Sequence, residues 1–548
     1  MEHIQYNLPI GIDSFRKIRE EGRYYVDKTL MLRDFIQYDD KVALITRPRR
    51  FGKTLGMTML REFFDITADS KAIFDGLAIM NTEYADQINT RPVIFFTFKD
   101  CKGNSAESLL FDIGNVILGE YAKYHAIFNG SVDRNIVCYH RFYMIYEMLL
   151  NDNASMDFIK ISITTLEQVV YEYYKIKPIV LIDEYDQPII SSFTNGYHDE
   201  LQNFFSGLYG SALKGQDCLH RAMLTGIQRV VKESIFSQLN NVRVYTVTDE
   251  RYSRYFGFDE NETRELLAHC GLELNGSVKE QYDGYVIGGV EVYNPWSILN
   301  YASVGVIGDY WVNTSTNALI RDSLAEADEF FLRDFDMLIR DGTAEVSADL
   351  TCSFIELEDN DTLWGLLINS GYLTVVERIK RAYMTVRIPN GEVRAEFIKI
   401  VANRARVTNR DLQKMFNCLF DKDMDGFMDI YQQLVISCTS YFDAKENAYH
   451  MLFLGMCITL RGIYRITSNI ESGHGRSDIR LESLSSDRPH IIIEFKQGEN
   501  IDVLKDEALE QILDNRYYEG LQGEVLCMGV AHDKKRCALA HKTITIMK

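Results

Sequence analysis

The sequence predicts an α/β protein with a mostly parallel sheet in its N-terminal half and a smaller α/β region at the C-terminal end. Short apolar runs of strand length at 42–46, 93–98, 179–182, 220–225 and 242–247 alternate with helical patterns at 105–125, 133–151, 162–175 and 198–213. Strands spaced by helices in this way need crossover connections, and so a parallel core. Near the C-terminus, an alternating run at 476–481 and an apolar run at 490–496 flank a turn at 485–489, which predicts a hairpin. At 548 residues the chain is too long for one core, and two or three domains are expected.

Taken in order, residues 1–40 read as a lead-in: a turn at 8–11, a helix at 14–20, a short strand at 24–26, then a helix carrying Leu30, Met31, Leu32, Phe35 and Ile36. Asp27 or Thr29 reads as the cap of that helix rather than as a ligand.

The stretch Lys41 to Phe64 follows, with a strand, a basic loop through Arg47, Pro48, Arg49, Arg50, Phe51 and Gly52, and Lys53-Thr54 opening a helix. This is the order of a phosphate-binding loop: backbone N–H groups at a helix start cradle an anion, Lys reaches the outer phosphates and the hydroxyl takes Mg²⁺. Against G-x-x-x-x-G-K-[ST], Arg47 stands where the first Gly belongs, while Gly52, Lys53 and Thr54 are in place. A basic turn before a surface helix is the alternative. The candidate nucleotide-binding residues are Arg49, Arg50, Gly52, Lys53 and Thr54.

The run Ile179-Val180-Leu181-Ile182 then delivers Asp183 and Glu184 at the C-terminal edge of a buried strand, where open α/β sheets place their sites. Asp183 is expected to hold, through water, the Mg²⁺ that Thr54 takes, and Glu184 to polarise the attacking water. A strand running into an acidic turn is the bland reading of this run alone. Both motifs in this order are far rarer than either. The strand at 220–225 ends in Thr225, a candidate for the γ-phosphate or its water, with Arg229 and Lys232 as nearby positive charge. A plain strand-ending Thr is an equally good reading of Thr225, and a solvated loop pair is the better reading of Arg229 and Lys232.

Residues 259–310 are helical and aromatic, with Tyr282-Asp283-Gly284-Tyr285 and Tyr293-Asn294-Pro295-Trp296-Ser297 as loop and lid elements and a last strand expected at 310–313. The middle region predicts a helix at 363–373, strands at 372–377 and 381–388, a turn at Pro389-Asn390-Gly391 and a third strand at 392–397. That is a helix-plus-wing connector, best suited to domain packing.

The C-terminal hairpin carries a second constellation. It brings Asp478 together with Glu494 and Lys496, and the i, i+2 spacing puts the last two on one face. Two carboxylates can hold Mg²⁺, and a neighbouring Lys can orient a water or steady a phosphate. An exposed ion-pair stripe is the alternative. Glu446, ahead of a helical run at 449–460, is a further candidate ligand, and Gln511 sits on the following helix near Arg516, Tyr517 and Tyr518, three candidates for contacting a nucleic-acid backbone and bases that surface and core packing explain equally well.

Composition bounds these readings. Hydrophobic content of 46% and charged content of 25% are ordinary for a globular protein, and no apolar stretch is long enough to span a membrane. The N-terminus lacks a basic n-region and an apolar h-region, so no secretory signal is expected. Ten scattered cysteines with no C-x-x-C pair read as reduced residues of a cytoplasmic protein without structural zinc. A net charge of −20 argues against indiscriminate nucleic-acid binding, yet residues 430–548 carry 14 Lys/Arg against 16 Asp/Glu. A nucleic-acid contact is therefore best placed at the C-terminal end.

With these motifs in view, the sequence resembles the bacterial proteins that join an AAA-ATPase-like domain to a C-terminal nuclease-like domain of the PD-(D/E)XK superfamily. The resemblance rests on Tyr25-Val26-Asp27-Lys28-Thr29, Arg47 to Thr54, Ile182-Asp183-Glu184-Tyr185-Asp186, Thr225-Gly226-Ile227-Gln228-Arg229, Tyr293-Asn294-Pro295-Trp296 and Asp478…Glu494-Phe495-Lys496. It covers nearly the whole chain. Ser477 stands where the superfamily often has Pro, and the Arg47 version of the loop is usual for the family.

The resemblance implies an AAA-like P-loop NTPase domain with lid at 1–315, a helical connector with a β-hairpin at 316–430 and a restriction-endonuclease-like domain at 431–548. It implies ATP and Mg²⁺ as cofactors, with Mn²⁺ an alternative at the nuclease site, and DNA or RNA as partner. It is compatible with a homo-oligomer, although no residue identifies a mutually supplied arginine. The expected function is ATP binding and hydrolysis controlling a Mg²⁺-dependent nuclease. Two alternatives stand beside it: a nucleotide-gated switch or nucleic-acid-binding protein without cleavage, and a nuclease whose phosphate loop binds without turnover.

Overall fold

Five strands, β1 (Val42–Thr46), β2 (Val93–Thr97), β3 (Ile179–Asp183), β4 (Arg221–Gly226) and β5 (Val242–Tyr245), form one parallel sheet in the order β2-β3-β4-β1-β5. The computed structural model describes residues 7–546 apart from 215–216, 230–240, 312–329, 332–333, 336–337, 339–341, 352–358, 381, 405–408, 438–448, 450–452, 454–455, 461–462, 473–474 and 486. The chain falls into two compact units, Met1–Glu392 and Val393–Lys548.

β1 and β3 are buried at every position, because helices cover both faces of a parallel sheet. This is why their sequences are continuously apolar rather than alternating. Three helices, Ala106–Phe128, Val137–Leu150 and Met156–Tyr174, connect β2 to β3, and Gln187–Thr194 with His198–Leu213 connect β3 to β4. The order matters for chemistry. β4 lies between the strand that feeds the phosphate loop and the strand that ends in Asp183, so Thr225 at its end stands beside both.

Helices Glu260–His269, Gly276–Tyr282 and Pro295–Val304 surround a cluster of Leu266, Leu267, Val278, Tyr282, Tyr293 and Ile298. Glu260–His269 is closed by a capping box between Asp259 and Glu262. The Lys28 ammonium donates to both Glu262 oxygens at 2.6 Å, tying the lead-in to this helix.

Several expectations are corrected. Residues 24–26 form no strand. Helix Leu30–Gln37 has no side-chain cap. Instead, Asp27 Oδ1 accepts from the Thr29 N–H at 2.8 Å and the Thr29 hydroxyl at 2.6 Å, while its Oδ2 accepts from the Ala78 N–H. Thr29 Oγ1 in turn accepts from the buried Ile79 N–H at 3.1 Å. The pair staples the lead-in to residues fifty positions away. Tyr310 and Trp311 lie in a turn rather than a strand, and 312–313 fall outside the described residues.

In the middle region, β8 (Thr343–Ser347), β9 (Thr374–Arg378) and β10 (Tyr383–Arg387) form an antiparallel sheet ordered β8-β10-β9, preceded in the lid by the short hairpin β6 (Tyr285–Ile287) and β7 (Val290–Val292). Pro389-Asn390-Gly391 does not return the chain as a hairpin. Gly391 lacks the positive φ such a turn requires and begins the helix Gly391–Arg404, so the third strand is β8, from earlier in the chain.

The second unit carries a sheet of β11 (Tyr464–Ser472), β12 (Gly475–Ser483), β13 (His490–Gln497), β14 (Gly523–Asp533) and β15 (Arg536–Ile546) in sequence order. Only β13 and β14 are parallel, and helix Ile501–Asp514 makes the crossover between them. Ile492, Ile512, Tyr517, Leu521, Val525 and Cys527 form the core beneath that helix. No helix among the described residues is long and apolar enough to cross a membrane.

Thr29→Ala removes the acceptor for the buried Ile79 N–H, and an orphaned buried donor costs about 1–3 kcal/mol. Thermal melting of the variant should show a loss of that size with nucleotide affinity unchanged. An unaltered melting temperature would exclude the staple.

Candidate active sites

The first site lies at the C-terminal edge of the parallel sheet. Gly52 adopts φ +86°, and a Cβ built there would meet nothing within 4 Å. The left-handed turn needs Gly, and the open space in front of it is where an anion can approach the backbone. Lys53 follows at the start of helix Lys53–Phe64, buried, its ammonium donating to the carbonyls of Arg47 and Pro48 at 3.1 Å each. It stands 3.6 Å from a Glu184 oxygen. Glu184 itself is a non-glycine residue at φ +53°, which turns its side chain out of the strand toward the cavity.

Asp183 is fully buried and accepts three hydroxyls: Thr54 at 2.8 Å, Thr97 at 3.1 Å and Thr225 at 2.6 Å. Burial and then the Glu184 charge push its pKa up, while the Thr225 and Thr54 hydroxyls and Lys53 pull it down. Thr97 is absent from the sequence-derived set. Its signal is the same as that of Thr225, a hydroxyl ending an apolar strand, and it pairs in register with Asp183.

A cavity of about 960 Å³ opens in front of the loop, lined among others by Arg49, Arg50, Gly52, Lys53, Thr54 and Glu184. Thr225 and Arg229 are not among its lining residues, whereas Ile227 and Gln228 are. The Thr225 hydroxyl faces Asp183. Arg229 is half-buried, with its pKa lowered chiefly by burial. Lys232 lies outside the described residues.

Arg47, in the place of the first loop glycine, is wholly buried and points away from the cradle. One of its guanidinium nitrogens donates to the carbonyls of Thr46, Tyr245 and Thr246, and the group lies 5.4 Å from the Phe256 ring centre. Burial lowers its pKa to about 10, so it stays charged at neutral pH. It fastens the loop base to the end of β5, which explains why a bulky residue stands there without closing the cradle.

Asp186 is buried beneath the turn. Its Oδ2 accepts from the N–H groups of Ile227 and Gln228 at 2.8 and 3.0 Å, and its Oδ1 has no partner. Burial, then the Glu184 charge, raise its pKa to about 7.

The second site lies on β12 and β13, the second and third of the five strands in the C-terminal unit. The β12/β13 ladder runs to Ile479 opposite Ile493, one residue from Asp478 on one strand and from Glu494 on the other. The Asp478 N–H donates to Glu494 Oε2 at 3.3 Å, and Asp478 Oδ2 accepts from the Phe495 N–H at 2.8 Å. Glu494 Oε1 accepts from the Gln511 amide, which also donates to the Tyr517 hydroxyl at 3.2 Å. Lys496 follows Glu494 by two positions on β13 and shares its face. Tyr517, expected to contact bases, is instead buried in the core; Arg516 is exposed and Tyr518 partly buried. Glu446 lies outside the described residues.

The donor sets fit the groups their motifs imply. The Gly52 cradle with Lys53 and the Thr54–Asp183 pair suit a nucleotide phosphate chain and its divalent ion. Two facing carboxylates suit a hard cation such as Mg²⁺, which keeps several waters. Among the described residues no group of three or more His, Cys, Asp and Glu side chains is close enough to hold a metal.

The first unit is thus a P-loop module, and the second a mixed sheet with two carboxylates and a lysine on two adjacent strands. Comparison with known families agrees. A model described as predicted AAA-ATPase, AAA-ATPase-like, matches residues 9–236, and one described as PD-(D/E)XK nuclease superfamily matches residues 444–542. A protein of Azotobacter chroococcum mcd 1, described as an uncharacterized protein in the vnfD 5′ region, is 30% identical over 545 residues, covering 93% of this chain and 92% of that protein. The chain belongs to the family that joins an AAA-ATPase-like domain to a PD-(D/E)XK nuclease-superfamily domain.

The raised Asp186 pKa has a testable sign. The folded chain keeps this proton above the usual carboxyl value of 3.8, where the unfolded chain releases it, so the contribution is full below that value and is lost as pH rises through about 7. Asp186→Asn mimics the protonated form. Denaturant midpoints followed from pH 4 to 8 should fall more steeply with pH in the wild type than in the variant. Parallel curves would show that Asp186 ionises normally.

Proposed function

We propose that the N-terminal unit binds and hydrolyses ATP and controls a Mg²⁺-dependent phosphodiesterase, the C-terminal unit, acting on DNA or RNA. The observation that carries the reading is the open cradle at Gly52, with Lys53 and Thr54 beside it and the Asp183–Glu184 turn facing it.

In this reading the N–H groups at the start of helix Lys53–Phe64 receive the phosphates, and Lys53 exchanges the loop carbonyls for phosphate oxygens. Thr54 and Asp183 hold Mg²⁺, and Arg49 and Arg50 add positive charge at the cavity wall. Bound Mg²⁺ supplies neutralisation of phosphate charge. Glu184 takes a proton from the attacking water, a role worth about 10²–10⁴ in rate. Gln228 is the polar side chain that the loop after β4 presents to the cavity, with Thr225 acting through Asp183. At the second site Asp478 and Glu494 hold the divalent ion, Mg²⁺ or Mn²⁺, Gln511 orients Glu494, and Lys496 acts on the water or the phosphate.

Lys53→Ala is expected to abolish ATP hydrolysis, because the loop has no second ammonium. Glu184→Gln keeps nucleotide binding and loses turnover by about a hundredfold or more. Equal ATPase rates in wild type and Glu184→Gln would remove Glu184 from the chemistry.

Labelled DNA and RNA, single- and double-stranded, incubated with ATP and Mg²⁺ each present or omitted, test the second half. Glu494→Ala should lose metal binding together with cleavage, and Lys496→Ala should lose cleavage while still loading metal, both with ATP hydrolysis retained. If wild type cuts none of these substrates yet shifts them in a gel, the unit is a nucleotide-gated nucleic-acid-binding module.

A further inference from the structure

The phosphate loop is held from outside the parallel sheet by residues whose chemistry the reading above does not use. The Trp311 indole donates to the Arg49 carbonyl at 3.0 Å, across 262 positions of sequence. The Arg50 guanidinium lies over the Trp296 ring, 4.3 Å from its centre, and the Phe51 ring meets Tyr285 edge-on at 5.0 Å. Gly371, at φ +87°, lets its backbone come so close to Pro48 that an added Cβ would stand 2.8 Å from the proline ring. Four successive loop residues, Pro48 to Phe51, are therefore each gripped by the segment 285–371.

Two of these grips converge on one carboxylate. Glu392, 1% exposed, accepts from the Trp311 N–H at 2.6 Å with one oxygen and from the Ser297 hydroxyl at 2.8 Å with the other. Ser297 directly follows Trp296, and both N–H groups bond to Asn294 Oδ1 at the start of their helix. Glu392 thus fixes the backbone behind both tryptophans. It also sits in the first turn of helix Gly391–Arg404, the stretch of chain that leads out of the first unit and into the second.

We propose that Glu392 is a positioning residue for the phosphate loop, and that nucleotide binding is transmitted through Trp311, Trp296 and Glu392 to the start of helix Gly391–Arg404. The inference rests on the nucleotide-binding reading of the Gly52 cradle. Its physical basis is rigidity. The loop cannot shift to wrap phosphates without moving Arg49 or Arg50 against the two indoles, and the indoles cannot move without straining two hydrogen bonds to a buried carboxyl group. Such a group has no water to fall back on, so its bonds move as a unit. The carboxyl sits at the helix start, so displacement of the loop appears there as a change in hydrogen-bond protection.

The test uses the full chain with Mg²⁺ and either ADP or the non-hydrolysable analogue AMP-PNP. Three readouts are taken: nucleotide affinity by calorimetry, tryptophan fluorescence, and backbone hydrogen exchange over 391–404. In the wild type, nucleotide should bind, change the fluorescence and alter exchange at 391–404. Glu392→Ala should weaken binding by about tenfold, as expected for leaving the buried Trp311 N–H without its acceptor, and should abolish the nucleotide-dependent change in exchange. Glu392→Gln, which can accept from Trp311 and bond Ser297, should restore both. Trp311→Phe removes the indole donor to Arg49 and keeps the backbone N–H that bonds Glu392, so it reports the loop end of the link even if Glu392→Ala folds poorly. Unchanged affinity and exchange response in Glu392→Ala and Trp311→Phe would overturn the proposal. So would a wild type that binds nucleotide with no change at 391–404, and that result leaves the nucleotide reading intact. A wild type that binds neither nucleotide overturns both.

Discussion

One buried carboxylate organises the N-terminal unit. Asp183 has no exposed surface, and an ionised group so placed is tolerated only when its oxygens are satisfied. Its three hydroxyl donors come from three elements: Thr54 from the helix after the phosphate loop, Thr97 from β2 and Thr225 from β4. The strand order dictates this. β3 has β2 on one side and β4 on the other, so the residues ending its neighbours fall within reach of the residue ending β3 itself. The Thr54 bond then ties the helix that begins with Lys53 to the same point. The C-terminal edge of the sheet and the phosphate loop are thereby one hydrogen-bonded assembly.

The loop's own sequence follows from what it must leave empty. Lys53 satisfies its ammonium on loop carbonyls and stands near Glu184, so the positive charge is held in place without a strong ion pair that a phosphate would have to break. Arg47 removes its side chain from the cradle altogether by bonding three carbonyls at the ends of β1 and β5. The cation–π contact of the exposed Arg50 with Trp296, worth about 0.5–1 kcal/mol, and the Trp311 bond to Arg49 restrain the loop just before Gly52, at the wall of the same cavity.

Much of this was legible in the sequence because it is local. The five strands, the Gly52–Lys53–Thr54 run, Asp183–Glu184, and the approach of Asp478 to Glu494 follow from period and order along short stretches. What was not legible depends on residues far apart. Thr97 looks like any strand-ending threonine until β2 lies beside β3. Asp27 and Thr29 resemble a helix cap, yet their acceptors serve Ala78 and Ile79. Pro389-Asn390-Gly391 has hairpin chemistry, but Asn390 donates to the Tyr282 carbonyl and the helix starts at once. Tyr517 reads as a stacking platform until the crossover helix Ile501–Asp514 covers it.

The C-terminal unit reaches its arrangement by a different constraint. β13 has an antiparallel partner, β12, on one side and a parallel partner, β14, on the other. The parallel partner demands a crossover, and helix Ile501–Asp514 supplies it, packing on β13 and β14. That helix places Gln511 against Glu494, so the helix that links the strands also orients the carboxylate on β13. Alternation along β13 completes the division of labour. Ile493 and Phe495 are buried, whereas Glu494 and Lys496 point together to the other face, where Lys496 keeps partial access to solvent. Ile492, two positions before Glu494 on the same face, is fully buried beneath that helix and Glu494 is itself 4% exposed, so the face that carries the charged pair is closed at its start and reaches solvent at Lys496.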